Sequence, residues 1–401
     1  MRISTSMLNQ TAVNGILQDE AALSVTQNQM STGKKVNTPA DDPAAAVQIQ
    51  QLTNTTSQYS QYQSNGQSAT TSLTLEEQAL SNSTTTLQSI RDLVLSANSA
   101  SNNTSDLSNI ATQIQTLEQQ LMGYANSQDA EGNYLFSGYS TSSQPFVRGS
   151  SGQVSYTGDA GTSTIPISGG TSVQTGDPGS TVFMNIPTGN GTFSTAASSS
   201  NTGTGVIAGG TVTNAAAWTS GNYTITFTDA SDYQVTDSSG NVVSTGTYDS
   251  SNGGDVDFDG IEVGISGSPA AGDSFTISPS TKQSVFATLD SLVSALKNAG
   301  SSSAAQAQLS SQLSTSLQQI DQSLDQVSDV TTSVGARLNL ISSENNSLTT
   351  QSTTVTTQIS NLSSLDYVTA SSQYSQQYLA LQAAEESFSQ MGQLSLFKYL
   401  S

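Results

Sequence analysis

The chain has 401 residues, enough for two or three domains, and only 10% of them are charged. Nine basic residues against 30 acidic ones give a formal net charge of −21. This balance argues against nucleic-acid binding, which depends on Lys and Arg contacts to phosphate. The sequence contains neither Cys nor His, so disulfides, thiolate metal sites and histidine catalysis are excluded.

The first 40 residues carry one apolar stripe. Its members are spaced by 4, 4, 7 and 7 residues, which places them on one helix face: Leu8, Ala12, Ile16, Leu23 and Met30. The N-terminus lacks the apolar region of a cleavable signal, and no apolar run approaches the ~20 residues that span a bilayer. We therefore expect no membrane partner, and either a cytoplasmic protein or one exported by a route that reads an uncleaved N-terminus.

Two further helices are predicted before residue 140. Gly33 ends the first helix, and Asp42 followed by Pro43 is typical of the N-cap and first residue of the next, which should run to about residue 99. After a break at 99–105 comes a third helix. The apolar residues of both keep steps of three, four or seven, as coiled-coil seams do: Leu73, Leu80, Leu87, Ile90, Val94, Leu107, Ile110, Ile114, Leu117 and Leu121.

The middle of the chain, 141–280, contains 23 of the 32 glycines and six of the eight prolines. Within it, 223–228 alternates apolar residues with Thr, as a half-buried strand does. Residues 237–241 predict a hairpin turn, and 275–277 another strand. The Gly/Ser/Thr-rich stretch 188–210 is predicted to be a flexible loop.

One motif in this region has the spacing of a metal site. Asp255, Asp257, Asp259 and Gly260 match the start of a calcium-binding loop, but the twelfth position, which should be a bidentate Glu, is Ser266. A strand with Val256 and Phe258 inside and the Asp residues in solvent explains the run better. We predict no metal, no cofactor and no catalytic residue.

The last part of the chain, 281–401, is again helical in pattern. Apolar residues from Leu309 to Leu362 keep steps of three, four or seven without a Pro. A helix over 303–363 would be roughly 90 Å long and would need partners along its length, which the first helices can supply. The final segment repeats the pattern with aromatic residues.

These elements predict an α+β multidomain protein, with a long antiparallel coiled-coil rod built from both chain ends and an inserted all-β domain that projects from the far tip. The predicted domains are a terminal helical assembly domain (1–40 and 365–401), a helical rod (41–140 and 281–364) and the β domain (141–280). The middle seams should pack within the chain. The stripes at the two ends are weaker and are predicted to be buried between subunits, and their candidate interface residues are Leu8, Ile16, Leu23, Met30, Tyr374, Tyr378, Leu381, Phe388 and Met391.

Several segments resemble the hook-associated protein 3 family of the bacterial flagellum. At the N-terminal side they are MRIST at 1–5, MSTGKKV at 30–36, DDPAAA at 41–46 and GNYLFSG at 132–138. At the C-terminal side, GARLN at 335–339 is similar to the region shared with flagellin, and QLSLFKYL at 393–400 is similar to the ending of the family. The resemblance covers about 1–146 and 281–401.

This resemblance implies a secreted structural subunit at the junction of hook and filament, without enzymatic activity. Its implied partners are further copies of itself in a ring, hook-associated protein 1, flagellin and an export chaperone of the flagellar type III apparatus. One alternative is a flagellin-type filament subunit, but the C-terminal residues 393–400 argue against it. Another is a secreted carbohydrate-active protein, but no motif in the sequence supports it.

Overall fold

A computed structural model describes residues 5–99, 101–150 and 152–393. Three helices precede a region of antiparallel strands and three follow it, which confirms the predicted fold class of helical flanks around an inserted β region. The helices are α1 (Thr5–Thr32), α2 (Pro43–Ala97), α3 (Thr104–Ala125), α4 (Val285–Lys297), α5 (Ser303–Ser363) and α6 (Tyr367–Gln393).

Short polar side chains define where the helices begin. Asp42 Oδ1 accepts a hydrogen bond from the Ala45 backbone N–H at 2.9 Å, so Asp42 caps α2 as predicted. Asn103 caps α3 by accepting from the N–H groups of Ser105 and Asp106. Asp366 Oδ1 accepts from the N–H of Val368 at 3.0 Å at the start of α6. Each cap satisfies backbone donors that the first helical turn leaves unpaired.

The chain divides into two compact units. The first comprises Met1–Ser64 and Glu344–Ser401. In it, α1 and α6 pack against each other in antiparallel directions, because the residues that follow α1 meet those that precede α6. Lys35 N–H donates to Ser363 O at 2.8 Å, and Leu365 N–H donates to Gly33 O at 3.0 Å.

The second unit, Asn65–Ser343, contains two hydrophobic cores. The first is helical, and the seam of α2 that the sequence predicts is fully buried in it. The apolar residues of α3 line the same core, and so do those of α4 and of the N-terminal half of α5. The predicted coiled-coil seams of this unit are therefore packed within the chain.

Residues 144–187, the linking segment, also belong to the helical core. Its short strands are β1 (Phe146–Arg148), β2 (Val154–Tyr156), β3 (Thr164–Pro166), β4 (Ser172–Gln174) and β5 (Ile186–Pro187), with a π-helical turn at Ser180–Met184. The ring of Phe146 lies 5.6 Å from that of Phe183 and 5.4 Å from that of Phe286 on α4. The first third of the predicted β domain thus shares its core with helices.

The second core lies inside a β sandwich formed by residues 188–281. The strands after β5 are β6 (Phe193–Ala197), β7 (Val206–Val212), β8 (Tyr223–Phe227), β9 (Asp232–Asp237), β10 (Val242–Thr247), β11 (Gly254–Phe258), β12 (Ile261–Ser266), β13 (Ser274–Pro279) and β14 (Lys282–Gln283). A five-stranded sheet has the order β10-β9-β8-β13-β6, and a three-stranded sheet has the order β11-β12-β7. Their inner faces share one apolar cluster.

The expectation of a flexible loop over 188–210 is wrong. Phe193 is buried at the start of β6, which pairs with β13, and Ile207 is buried in β7, which pairs with β12. Pairing with strands distant in sequence supplies the apolar partners that local composition does not reveal.

The Asp255–Gly260 run forms strand β11 and the turn into β12. Val256 and Phe258 point into the sandwich core, while Asp255 and Asp257 are exposed. Asp259 and Gly260 have φ values of 46° and 77°, as a two-residue hairpin turn requires. The strand interpretation of this run is therefore correct.

The sandwich packs against the N-terminal third of α5. Thr315 Oγ1 donates to Thr195 O at 3.1 Å, and Gln308 Nε2 donates to Ser199 O at 3.0 Å. The two chain connections leave the sandwich together, because Thr188 N–H donates to Thr281 O at 2.9 Å. The predicted domain boundaries remain predictions, and these contacts favour 188–281 as the separable part.

We expect residues 188–281 to fold as an isolated fragment, because they enclose their own core and their ends are adjacent. The ring of Trp218 lies 5.6 Å from that of Phe193 and 5.8 Å from that of Tyr223, so tryptophan fluorescence should report one cooperative unfolding transition. A fragment that starts at residue 141 should gain little stability from the extra residues, whose apolar partners are helical. A 188–281 fragment without a transition would contradict the assignment.

Candidate assembly surfaces and buried ion pairs

Five of the predicted interface residues lie on the sides along which α1 and α6 are covered. Ile16, Leu23 and Met30 are half-buried on α1, and Leu381 and Phe388 are half-buried on α6. The half-buried positions recur every three or four residues, as on a helix with one side covered. Since α1 and α6 pack against each other, this face is at least partly used within the chain.

Two aromatic residues of the prediction lie at the border of this face. Tyr374 is half-buried, and Tyr378 is exposed. Their rings are stacked with centroids 6.5 Å apart. The side chains of the two outermost predicted residues, Leu8 and Met391, lie outside the described residues.

A partly buried hydrogen bond links α1 to α6. Thr26 is buried, and its Oγ1 donates to Gln377 Oε1 at 2.7 Å. A second contact joins the helix ends, where the hydroxyl of Tyr367 donates to Met30 O at 3.2 Å. Gly33 has a φ of +70°, and a Cβ there would lie 3.0 Å from the Tyr367 hydroxyl oxygen, so a glycine suits this close approach.

The opposite faces of both helices expose large apolar side chains. On α1 they include Val13, Leu17 and Val25, spaced by four and eight residues, with Leu17 57% exposed. On α6 they are Val368 and Leu379, which are 83% and 64% exposed and lie eleven residues, about three turns, apart. We call these five residues the outer apolar faces. They lie on other sides of the helices than the predicted stripe, so the sequence analysis missed them.

A partly buried ion-pair cluster joins α3, β1 and α4. Arg148 contacts Glu118 with one nitrogen and donates to Asp290 Oδ1 with the other at 2.8 Å. Burial raises the pKa of Glu118, and the charge of Asp290 adds to this effect while Arg148 opposes it. The cluster fixes the linking segment to two helices.

A second ion-pair cluster surrounds Arg337 of α5. Arg337 Nη2 donates to Asp177 Oδ2 at 2.7 Å, and the Asp177 N–H donates to Glu76 Oε1 at 3.0 Å. The three residues come from α5, the linking segment and α2. This cluster and the one around Arg148 are structural, because each ties helices to the linking segment.

A row of uncharged side chains on α5 binds the sandwich. Ser311 Oγ accepts from the Ile207 N–H at 3.2 Å, and Gln318 lies so close that a Cβ at Gly209 would be 1.5 Å from its Nε2. The row has steps of three and four residues and comprises Gln308, Ser311, Thr315, Gln318 and Gln322. We call it the neutral stripe; its composition resembles that of an exposed helix face, so the sequence analysis did not single it out.

The described residues offer neither a membrane span nor a metal site. Within the described ranges, every helix is too short or too polar to cross a bilayer. Over the same residues, no group of three or more Asp and Glu side chains is placed to hold a metal ion.

Three family descriptions match the chain: bacterial flagellin N-terminal helical region over 3–141, flagellar hook-associated protein 1 D2-like domain over 196–279, and bacterial flagellin C-terminal helical region over 317–400. The crystal structure of Xanthomonas campestris FlgL is 33% identical, with a TM-score of 0.71, over 76% of this chain and 98% of that one. This chain belongs to the flagellar hook-associated protein 3 family.

Two further members of the family are also similar to this chain. The flagellar junction protein FlgL from Legionella pneumophila is 33% identical, with a TM-score of 0.72, over 78% of this chain and all of that one. Flagellar hook-associated protein 3 of Salmonella typhimurium is 36% identical over 186 residues. That match spans 46% of this chain and 58% of the curated relative. The resemblance found in the sequence is thereby confirmed.

Thr26→Val should weaken the pairing of α1 and α6. The change removes the donor to Gln377 without altering the size of the side chain, and losing a partly buried hydrogen bond costs about 0.5–1.5 kcal/mol. Limited proteolysis should cut the chain ends of this variant faster than those of the natural protein. Thr11→Val is the matched control, because Thr11 is exposed on the same helix and bonds only within it. Equal cleavage of both variants would contradict the role of Thr26.

Proposed function

We propose that this protein is a non-enzymatic subunit of the flagellar axial structure that joins the hook to the filament. The observation that carries the proposal is the α1–α6 pair of a hook-associated protein 3 family member, which leaves apolar side chains exposed on both helices. A helix that carries apolar residues on both of its sides is usually covered on both sides. The partner that fits is another copy of the chain in a ring.

Within this proposal the chain ends have two different faces. The half-buried face, with Leu23 and Leu381, holds α1 to α6. The outer apolar faces, with Leu17 and Leu379, are left for neighbouring subunits. Burying one such Leu on assembly would stabilise the contact by ~1.5–3 kcal/mol. An unpaired carboxylate in its place would oppose assembly.

The remaining partners follow from the family. Hook-associated protein 1 would lie below the ring and flagellin above it, and an export chaperone would hold the chain before secretion through the flagellar type III apparatus. The match of 196–279 to a domain of hook-associated protein 1 supports a place beside that protein. The secreted location at the hook–filament junction is part of the same proposal.

Deleting the gene tests the function as a whole. We expect cells that carry hooks without filaments and release flagellin into the medium, and complementation should restore filaments. A flagellin-type subunit would behave differently, because its loss removes the filament without releasing another flagellin. Filaments of normal length on the deletion strain would overturn both alternatives.

Leu379→Asp should abolish incorporation into the flagellum while the monomer melts as before, because Leu379 is 64% exposed and the change creates no buried charge. Leu17→Asp should act in the same way from α1. Leu324→Asp is the contrasting control, since Leu324 packs against the helical core and a carboxylate there should lower the melting temperature. Normal assembly of both outer-face variants would show that these faces are not interfaces.

Leu381→Asp and Phe388→Asp test the stripe that the sequence predicts. Both residues are half-buried, so each change should impair assembly and also loosen α6 from α1. Thermal unfolding followed by circular dichroism, together with proteolysis of the ends, separates these effects. If either variant assembles normally, its position is not part of the interface.

A further inference from the structure

Glu76 occupies an unusual position for an acidic residue. It lies in the middle of α2 and is only 1% exposed. Its neighbours are Asp177 of the linking segment and Arg337 of α5, which is also largely buried. Buried carboxylates are normally paired, because removing a charge from water costs several kcal/mol. Here two carboxyl groups lie near one guanidinium, which donates to that of Asp177.

The hydrogen bonds of the cluster converge on Asp177. Its N–H donates to Glu76 Oε1 at 3.0 Å. One carboxylate oxygen accepts from Arg337 Nη2 at 2.7 Å, and the other accepts from Gln174 Nε2 at 2.9 Å. Asp177 is therefore held from α2, from α5 and from its own segment. This single residue connects the linking segment to both long helices.

The cluster has one negative charge too many. Two carboxylates and one guanidinium sum to −1, and a buried excess charge is costly. Among the described residues, Glu76 Oε2 and Arg337 Nη1 are buried and lack a hydrogen-bond partner. A proton on Glu76 removes the excess charge. The geometry therefore favours a protonated Glu76.

The charged groups around Glu76 also favour its protonated form. Burial, and next to it the negative charge of Asp177, raise the pKa of Glu76 to about 8, and Arg337 opposes the shift. Asp129 lines the same cavity as Asp177 and adds no positive charge. Because the pKa in the folded chain exceeds its usual value of 4.5, the stabilisation is complete below pH 4.5 and is lost as the pH rises through 8.

We propose that Glu76, Asp177 and Arg337 form a proton-operated clamp, which holds residues 174–187 against α2 and α5 while Glu76 is protonated and releases them when the proton leaves. Ionised Glu76 would face the carboxylate of Asp177 in a buried site. Their repulsion is relieved when the segment moves away and both groups reach water.

Opening the clamp would also affect the packing of aromatic residues outside the cluster. Six residues after Asp177, the ring of Phe183 lies 5.5 Å from that of Phe136 and 5.6 Å from that of Phe146. Phe286 of α4 is in the same aromatic cluster, 6.3 Å from Phe183. Releasing the segment would loosen this cluster, in which the linking segment and α4 meet. The clamp thus connects protonation to the packing of the helical core.

Hydrogen exchange of the full-length monomer between pH 6.5 and 9 tests the proposal. After correction for the intrinsic pH dependence of exchange, amide protection in 178–187 should fall at least tenfold in the natural protein as the pH rises to about 8 and then level off. The opening equilibrium shifts about tenfold per pH unit only while Glu76 is ionised in the open state and protonated in the closed one. Glu76→Gln keeps the size of the side chain but does not titrate, so its protection should stay constant. Asp321→Asn is the matched control at an exposed ion pair with Arg91, and it should keep the fall.

Arg337→Gln separates a proton-linked role from a merely structural one. Without the guanidinium the proton on Glu76 is held more tightly, so the fall in protection should move to higher pH. A structural salt bridge alone would lower protection equally at every pH. The proposal is overturned if protection in the natural protein does not change with pH, if Glu76→Gln keeps the fall, or if Arg337→Gln leaves its midpoint in place.

Discussion

The structure depends on the pairing of the two chain ends. The Thr26–Gln377 hydrogen bond joins residues 351 positions apart, and the backbone bond from Lys35 to Ser363 joins the turns that follow α1 and precede α6. Neither terminal helix has enough apolar surface on one face to be stable alone, since isolated amphipathic helices gain most of their stability from tertiary packing. The α1–α6 pair therefore forms only after almost the whole chain has been made.

The same principle operates in the second unit. There, α3 packs against α4, with the linking segment and the sandwich between them in sequence. Contacts between residues so far apart must overcome the entropy of closing a long loop, which slows folding. A sandwich that encloses its own core reduces this cost, because it can fold first and bring its two connections together at Thr188 and Thr281. The helices then have a shorter effective loop to close.

The regular parts of this architecture could be predicted from the sequence. Steps of three, four and seven residues located α2, α3 and α5, since burial of one helix face imposes that period, and Asp42 and Pro43 marked the start of α2. The motifs at 30–36 and 132–138 identified the family. The strands β6 and β7 were not predicted, because the residues they pair with in β13 and β12 lie 49 to 86 positions further along the chain. The packing of Phe146 and Phe183 in the helical core was not predicted either, because Phe286, which they contact, is also distant in the sequence.

The candidate surfaces were predicted only in part. Heptad spacing located Leu23 and Leu381, but it could not tell whether another helix of the chain or another subunit covers them. Leu17 and Leu379 lie off that period, so only the three-dimensional exposure of their side chains singles them out. The pairing of Arg337 with Asp177 could not be predicted either, because the two residues are 160 positions apart in the sequence.

The neutral stripe on α5 has a consequence for the environments in which the protein can work. Gln308, Ser311 and Thr315 hold the sandwich through hydrogen bonds between uncharged groups. Dissolved ions screen interactions between charges, with a Debye length near 8 Å at 0.15 M salt, but they have little effect on bonds between neutral groups. The contact between the sandwich and α5 should therefore be equally stable at low and at high salt concentration.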